Sequence, residues 1–367
     1  MKYWLFLIVV ASLGVIVAVP KGDLRVGKTM EAVGRCDLAV LVVDGRNFDG
    51  RVSLCTEERE LLDALMERKV PFVIALNKSD LSTATAKGTG EISLPTYLPD
   101  GVVCVRTSAA CTSCCGSGLG FGIDELKKAL VKVAGSFDKK KTILGGIVGR
   151  GDAVVLVCPI DEAAPKGRLI LPQQMVLREV LDLNARAIVI QDGQLEETLE
   201  ALRNPPDLVI TDSQVFGRVA GILPEEIPLT SFSILMARYK GFLDAALDGI
   251  SAIGSLEDGS RVLISEGCSH HRQCGDIGSV KIPALLRKKT GKNVEIALTS
   301  GLEFPEDLKH YSLVIHCGGC MLNEREVEGR KNRAVAQKVP FINYGIFLAW
   351  ANGILDRSIK PLEAYRD

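Results

Sequence analysis

Runs of β-branched and aliphatic residues alternate with amphipathic segments along most of this chain, and this pattern predicts parallel strands joined by helices. In the first third, LAVLVVD (38–44) and PFVIAL (71–76) are predicted strands, and 56–68 is the predicted helix between them. The other predicted strands are 102–106, 153–158, 187–191, 208–211, 261–265, 294–298 and 312–316. The other predicted helices are 123–134, 173–183, 195–203, 230–250 and 322–337. The alternation predicts an α/β fold.

The first twenty residues (1–20) break this pattern. Tyr3–Val19 is almost unbroken apolar sequence that ends at Pro20. Three interpretations fit this segment: an artefact of the gene start that replaces the front of a domain, a signal peptide or short membrane anchor, and a buried strand pair. Beyond it, charged and proline-containing linkers divide the chain into predicted domains at 21–138, 142–229 and 230–367.

Length, charge and composition narrow the class of protein. A chain of 367 residues and 39.5 kDa is expected to form more than one domain. The net charge is −1 with both signs interspersed, and aromatic residues are 5% of the sequence, so no nucleic-acid-binding surface is expected. Eleven cysteines in an α/β-patterned chain of this size indicate a reducing compartment. The expected location is the cytoplasm, with membrane attachment through the apolar segment as the alternative.

The candidate chemistry is concentrated towards the C-terminus. All four histidines lie between positions 270 and 316, and cysteines stand at both edges of that stretch, in CSHH (268–271) and HCGGC (316–320). Thiolate and imidazole side chains bind zinc or an iron–sulfur cluster, and Cys-x-x-Cys spacing lets one turn offer two sulfurs to one centre. Both groups follow predicted strands, and the carboxyl ends of parallel strands meet at one edge of a sheet. We therefore expect the two groups to converge.

The number of ligands leaves two chemistries open. Three cysteines are one short of a closed four-thiolate site, so a 4Fe–4S cluster would leave one iron for a histidine, a water or an exchangeable ligand. A structural zinc bound by three cysteines and one histidine would use the same residues. The candidate metal ligands are Cys268, Cys317 and Cys320, with His270 and His316 as candidates for the fourth position.

A guanine-binding pattern follows the second predicted strand. NKSD (77–80) matches N-K-x-D, in which the Asp carboxylate accepts both guanine N1–H and N2–H, an arrangement that adenine cannot match. The next predicted strand leads into TSA (107–109), which resembles the following guanine-contacting loop of GTPases. The candidate GTP contacts are Asn77, Lys78, Asp80, Ser108 and Ala109.

The phosphate-binding part of such a domain is predicted to be incomplete. GDLRVGKT (22–29) fits the Walker A pattern letter for letter, but Lys28 and Asn77 are only 49 positions apart, too few for two switch regions and their strands. Asp44-Gly-Arg-Asn47 lacks the last glycine of D-x-x-G. Tight GTP binding and hydrolysis are therefore not expected, and Mg²⁺ is expected only together with GTP. A functional phosphate loop at 22–29 is the alternative.

The sequence around the cysteines resembles the HydF-type scaffold GTPases that mature iron-only (FeFe) hydrogenases. C-x-H at 268–270, a spacer of 45 residues and H-C-x-x-C at 316–320 look like the cluster motif of that family. The likeness runs from about Leu24 to the C-terminus. The segments that carry it are 164–174, 205–214, 268–283, 300–323 and 339–346.

The resemblance implies three α/β domains in the segments delimited above: a partial P-loop (TRAFAC-type) GTPase-like domain, a dimerisation domain and a C-terminal cluster domain with a parallel sheet. It implies a homodimer in which Cys268, Cys317 and Cys320 hold a 4Fe–4S cluster, while Cys274 is predicted to be incidental. It also implies that a di-iron precursor comes from radical-SAM maturases and passes to apo-FeFe-hydrogenase, with GTP tuning partner association. The rival functions are a zinc-stabilised interaction module and a GTPase with a sensing cluster.

Overall fold

In a computed structural model, the described residues form three sheets built mainly from parallel strands, which confirms the predicted α/β class. All the strands predicted from hydrophobic runs are present, within one residue of their predicted ends. The chain divides into two compact units, 1–140 and 141–367. The structure describes residues 7–10, 13–18, 33, 36–47, 52, 54–81, 98, 101–108, 121–135, 141–160, 169–268 and 276–363.

The first unit contains a five-stranded sheet. Its strands, in sheet order, are β1 (Leu7–Val10), β2 (Leu13–Ala18), β3 (Leu38–Asp44), β4 (Phe72–Asn77) and β5 (Val103–Arg106). β1 is antiparallel to β2, and the other pairs are parallel. Residues 7–10 and 13–18 of the N-terminal apolar segment thus form a pair of strands. Among the residues that the structure describes, none of the helices combines the length and hydropathy that a membrane span requires.

The helices α1 (Thr56–Glu67) and α2 (Ile123–Gly135) accompany this sheet. α1 begins where the Glu58 carboxylate accepts the backbone N–H of Cys55, at 2.9 Å. The buried leucines of α1 recur at helical spacing, so one face of the helix is apolar. This face packs against core residues of β3 and β4.

The second unit contains two four-stranded parallel sheets with the same topology. In each, the strand that comes first in the chain lies second in the sheet, so the order is 2-1-3-4. The first sheet has β6 (Ala153–Val157), β7 (Arg186–Ile190), β8 (Leu208–Thr211) and β9 (Leu229–Ser231), with α3 (Leu171–Asp182), α4 (Leu195–Ala201), α5 (Phe216–Ile222), α6 (Phe232–Tyr239) and α7 (Leu243–Asp248). The second has β10 (Arg261–Ser265), β11 (Glu295–Thr299), β12 (Leu313–His316) and β13 (Phe341–Asn343), with α8 (Ile282–Thr290), α9 (Glu324–Ala336), α10 (Tyr344–Ala351) and α11 (Leu355–Glu363).

The two sheets are also paired in the same register. The last residues of the first, third and fourth strands lie side by side, as Val157, Thr211 and Ser231 in the first sheet and as Ser265, His316 and Asn343 in the second. Each fourth strand continues directly into a helix. The second unit is therefore a tandem pair with one topology, which we call the first module (153–248) and the second module (261–363).

The predicted helix over 230–250 is confirmed only in part, because the structure has two helices there, α6 and α7, preceded by the end of a strand. Thr230 belongs to β9, which pairs with β8, and α6 begins only at Phe232. The predicted boundary between 229 and 230 falls inside this strand. Residues 223–228 connect α5 to β9. The prediction missed β9 because a strand of three residues shows no period of its own and merges with the apolar helix that follows it.

Candidate metal centre

The carboxyl edge of the second sheet carries the three cysteines of the predicted ligand set. Cys317 directly follows β12, and its backbone N–H donates to the Ser265 carbonyl at the end of β10, at 2.9 Å. Cys268 lies three residues beyond β10, and its carbonyl accepts the N–H of Gly301 at 3.2 Å. Cys320 lies in the loop between β12 and α9. All three cysteines are partly buried residues.

Two backbone donors converge on one of these thiols. The N–H groups of Gly267 and Gly319 donate to the Cys317 sulfur, with N–Sγ distances of 3.0 and 3.3 Å. Burial raises the pKa of the Cys317 thiol, and the two N–H donors oppose that rise. An N–H donor stabilises sulfur most when the sulfur is negatively charged. The loop is thus suited to a thiolate, the form in which cysteine binds a metal.

Glycine is required at both donor positions. Gly319 has φ +63°, and a Cβ there would lie 2.9 Å from the Val327 side chain. At Gly267, a Cβ would lie 2.7 Å from the Leu322 side chain. A side chain at either position would collide with Val327 or Leu322, so glycine lets both N–H groups approach the Cys317 sulfur.

A buried cation from the first module reaches the same loop. Lys240 is 6% exposed, and its ammonium donates to the backbone carbonyls of Gly319 and Leu322. Burial raises the pKa of the Cys320 thiol, and the Lys240 charge lowers it. Lys240 follows α6 directly, so its contact with the loop depends on the packing of the two modules.

His316, one candidate for the fourth ligand position, is fully buried and has partners on both ring nitrogens. Nδ1 lies 2.6 Å from the Cys317 carbonyl oxygen, so we assign the proton to Nδ1; Nε2 accepts from the Arg330 guanidinium at 3.3 Å. Burial and the Arg330 charge lower the pKa of His316 to about 3, so its ring is neutral. To bind iron, this ring would have to give up one hydrogen bond. The other candidate, His270, lies outside the described residues, as does Cys274.

Arg330 forms hydrogen bonds to residues at the sheet edge that carries the cysteines. It is 2% exposed, and its Nε donates to the Glu326 carboxylate, one turn earlier on α9, at 2.8 Å. Its terminal nitrogens donate to the Ser265 hydroxyl at 3.3 Å and to the Gly301 carbonyl at 2.8 Å. A buried charge is stable only when it is paired and hydrogen-bonded, and Arg330 meets both conditions.

The donor set suits a polynuclear cluster. Within the described ranges, no group of three or more His, Cys, Asp and Glu side chains is arranged to hold a metal ion. A tetrahedral zinc needs its ligands around a single centre, whereas a 4Fe–4S cluster takes each thiolate on a different iron and so spreads them apart. The three cysteines supply thiolates, and the sulfur of Cys317 receives two N–H donors, which is donor chemistry that an iron–sulfur cluster accepts.

The candidate guanine contacts start at the carboxyl edge of the first unit's sheet. Asn77 ends β4 and lies opposite Asp44, the last residue of β3. Lys78 follows with φ +62°, and its ammonium forms an ion pair with the Asp44 carboxylate at 2.7 Å. Hydrogen bonds from Arg46, together with Lys78, hold the pKa of Asp44 far below its usual range. The lysine of the N-K-x-D pattern is therefore engaged with a carboxylate.

The remaining guanine candidates are only partly described. Asp80 is exposed. Ser108 follows β5 and is buried, and its hydroxyl has no hydrogen-bond partner within the part of the chain that the structure describes. Ala109 and the Walker-like segment 22–29 lie outside the described residues.

Sequence reasoning missed two residues that shape the candidate metal centre, Lys240 and Arg330. The signal for Lys240 was a cation at the end of the largely apolar run FSILMARYK (232–240), which also contains Arg238. The signal for Arg330 was a glutamate four positions earlier, a spacing that is also found on any exposed helix. Burial distinguishes the two cases, and burial of a charged side chain is decided by elements distant in sequence.

Two family models match the second unit. The model of the hydrogen maturase F dimerization domain matches 143–241, and the model of the hydrogen maturase F tetramerization domain matches 244–361. Together they cover more than half of the 367 residues. The border between the matches falls between α6 and α7. The comparison with individual curated proteins gave no match.

Proposed function

Because this chain belongs to the hydrogen maturase F family and is involved in hydrogenase maturation, we propose that it is a scaffold for assembly of the FeFe-hydrogenase active site. In this proposal Cys268, Cys317 and Cys320 hold a 4Fe–4S cluster. The chain receives a di-iron precursor from radical-SAM maturases and passes it to apo-hydrogenase. The observation that carries the proposal is the convergence of two glycine N–H donors on the Cys317 sulfur at the cysteine-bearing sheet edge.

The protein's part in this function is to hold the ligands and to keep the centre accessible. When bound, a cluster held by three cysteines supplies one iron with a position that the thiolates leave open. All three candidate cysteines are partly buried, and Met321, beside Cys320, is 67% exposed. Transfer to another protein requires such access, which a fully enclosed site would deny. β10 and β12 end at the edge that carries the cysteines, and Met321 is exposed in the loop that carries Cys320.

Metal content of protein purified without oxygen tests the proposal. We expect brown protein with roughly four irons and four sulfides per chain. Protein loaded with the di-iron precursor should then activate apo-hydrogenase. Colourless protein with about one zinc per chain would replace the proposal by the zinc-stabilised module. A cluster-loaded protein that accepts no precursor would favour the sensing GTPase.

We expect self-association through the open edge of the first sheet. β7 forms this edge, whereas α11 packs against β9 at the other edge. Unpaired backbone groups of an edge strand pair readily with a second strand, and a lysine on the edge opposes that pairing. Val189 on β7 is 43% exposed. Val189→Lys is therefore expected to weaken dimerisation by about tenfold or more, equivalent to about 1.4 kcal/mol.

Size-exclusion chromatography with light scattering measures this effect. Wild type is expected to be at least a dimer, and the control Val131→Lys, at a 71% exposed position on α2, should match it. A monomeric wild type would contradict the expected homodimer. An unchanged Val189→Lys dimer would place the interface elsewhere.

A role of GTP in partner association would rest on guanine contacts. We expect weak nucleotide binding with a preference for GTP over ATP of roughly tenfold or more, because the Asp80 carboxylate can accept both guanine N–H groups. Asp80→Ala should abolish that preference, while Asp63→Ala, at an exposed position of α1, should keep it. Titration calorimetry with both nucleotides measures it. Clear GTP hydrolysis by wild type that is lost in Lys28→Ala would contradict the prediction that the phosphate loop is missing.

A further inference from the structure

The two modules of the second unit exchange their last helices. α6 and α10, which follow the fourth strands of the two sheets, pack against each other. The next helix of each module then crosses over: α7 packs against β13 of the second module, and α11 packs against β9 of the first. Both paired helices are capped from the last strand residue, by Ser231 on the N–H of Ile234 and by Asn343 on the N–H of Ile346. Each module therefore helps to complete the other.

The residue that ends each paired helix faces the opposite module. Gly241 at φ +73° and Gly353 at φ +71° terminate these helices, and Lys240 and Asn352 directly precede them. Asn352 lies so close to Gly217 of the first module that a Cβ on this glycine would be 2.5 Å from the Asn352 Oδ1. Lys240 makes the reciprocal contact with the second module, and its target is the loop between β12 and α9.

Lys240 thereby brings a buried positive charge to the candidate cluster loop. Its two acceptors, the carbonyls of Gly319 and Leu322, flank Cys320. In a loaded site the cysteines are thiolates, so the cluster with its three ligands is anionic and gains one more negative charge on reduction. A cation held nearby, away from water, favours that extra electron, because Coulomb interactions are strong where the surroundings are poorly polarisable.

We propose that Lys240 is a positioning residue of the cluster site, supplied by the first module. Its ammonium fixes the Cys317–Cys320 loop through two carbonyls and offsets the charge of the loaded site, so the packing of the first module sets the reduction potential of a cluster in the second. This inference rests on the proposed function. The inference goes beyond the proposed function because it makes the first module a determinant of the cluster's redox state.

The test is an anaerobic redox titration of the full-length, cluster-loaded protein followed by electron paramagnetic resonance. At the wild-type midpoint potential, Lys240→Met is expected to lower the ratio of reduced to oxidised cluster about tenfold, a shift of 59 mV for one electron. Lys240→Arg keeps the charge, so its ratio should stay within about twofold of wild type. Lys331→Met is the matched control, because Lys331 is a partly exposed cation that donates to the neighbouring Gly241 carbonyl. It should leave the midpoint unchanged.

Iron and sulfide content, measured first, separates this inference from the proposed function. A wild type without a cluster overturns both. A loaded Lys240→Met protein with the wild-type midpoint overturns the role of Lys240 alone, and so does an equal shift in Lys240→Arg. If Lys240→Met cannot hold a cluster, Lys240→Gln replaces it, since an amide still donates to carbonyls but carries no charge. A wild-type midpoint in Lys240→Gln would then contradict the proposed charge effect.

Discussion

Cys317→Ser is expected to leave less than about one iron per chain, against roughly four in wild type. Cys317 is the candidate ligand whose sulfur receives both glycine N–H groups and which joins the ends of β10 and β12. A serine hydroxyl stays protonated near neutral pH and is a harder, weaker ligand for iron. Its oxygen would also sit too far from donors that are spaced for sulfur. Iron and sulfide analysis of protein isolated without oxygen measures the loss.

Two cysteine variants serve as controls for this loss. Cys55→Ser changes an exposed thiol in the other unit and should keep the full cluster. Cys274→Ser should also keep it, because Cys274 is predicted to be incidental although it lies near the ligands in sequence. Full iron in Cys317→Ser would remove Cys317 from the ligand set. Loss of iron in Cys274→Ser would identify Cys274 as a fourth thiolate ligand. The cluster would then have no open position for transfer.

Arg330→Met is expected to destabilise the second unit by about 3–5 kcal/mol. The substitution removes the buried cation that pairs with the Glu326 carboxylate, which is 8% exposed. It also removes donors to the Ser265 hydroxyl and the Gly301 carbonyl, which lie at the edge that carries the cysteines. Thermal unfolding of the full-length protein should shift by on the order of 10 °C. Circular dichroism and calorimetry measure this shift.

The chain provides a matched control for this variant. Arg178 and Asp182 on α3 form the same type of helical ion pair, but their side chains are 77% and 56% exposed. Arg178→Met is therefore expected to cost no more than about 0.5 kcal/mol. The double variant Glu326→Gln/Arg330→Met should recover part of the loss, because no buried charge is left unpaired. A loss below about 1 kcal/mol in Arg330→Met would show that water reaches Glu326 and that the pair is not truly buried.

Most strands and the helices α1, α2, α3, α4 and α9 were predictable because their signals are local, whereas α5, α8, α10 and α11 were not predicted. β3 and β8 begin and end at the predicted residues, since an apolar run that is buried on both faces has sharp ends. β9 and β13, with three residues each, were missed because so short a strand has no period of its own. They are strands because β8 and β12 offer them hydrogen-bonding partners, and no local pattern records that.

Some residues of the candidate site were likewise predictable from the sequence, and others were not. Cys317, Cys320 and the adjacent glycines were identifiable from their spacing and residue type, because a metal requires particular ligand atoms. The tandem repetition of one topology was not visible, since the modules share strand register rather than an obvious residue pattern. The contacts of Lys240 and Arg330 depend on that repetition and on the packing of α6 and α9.

The sequence by itself determined the α/β class, the positions of the long elements and the residues able to bind a metal. These depend on short-range periodicity and on side-chain chemistry, which the chain carries locally. Only the tertiary structure decided which charges are buried, which glycine N–H groups donate to sulfur, and that a lysine of one module reaches the cysteine loop of the other. Those properties arise when residues about eighty positions apart share one space that excludes water, and the free energy of a charge or a hydrogen bond depends on that exclusion.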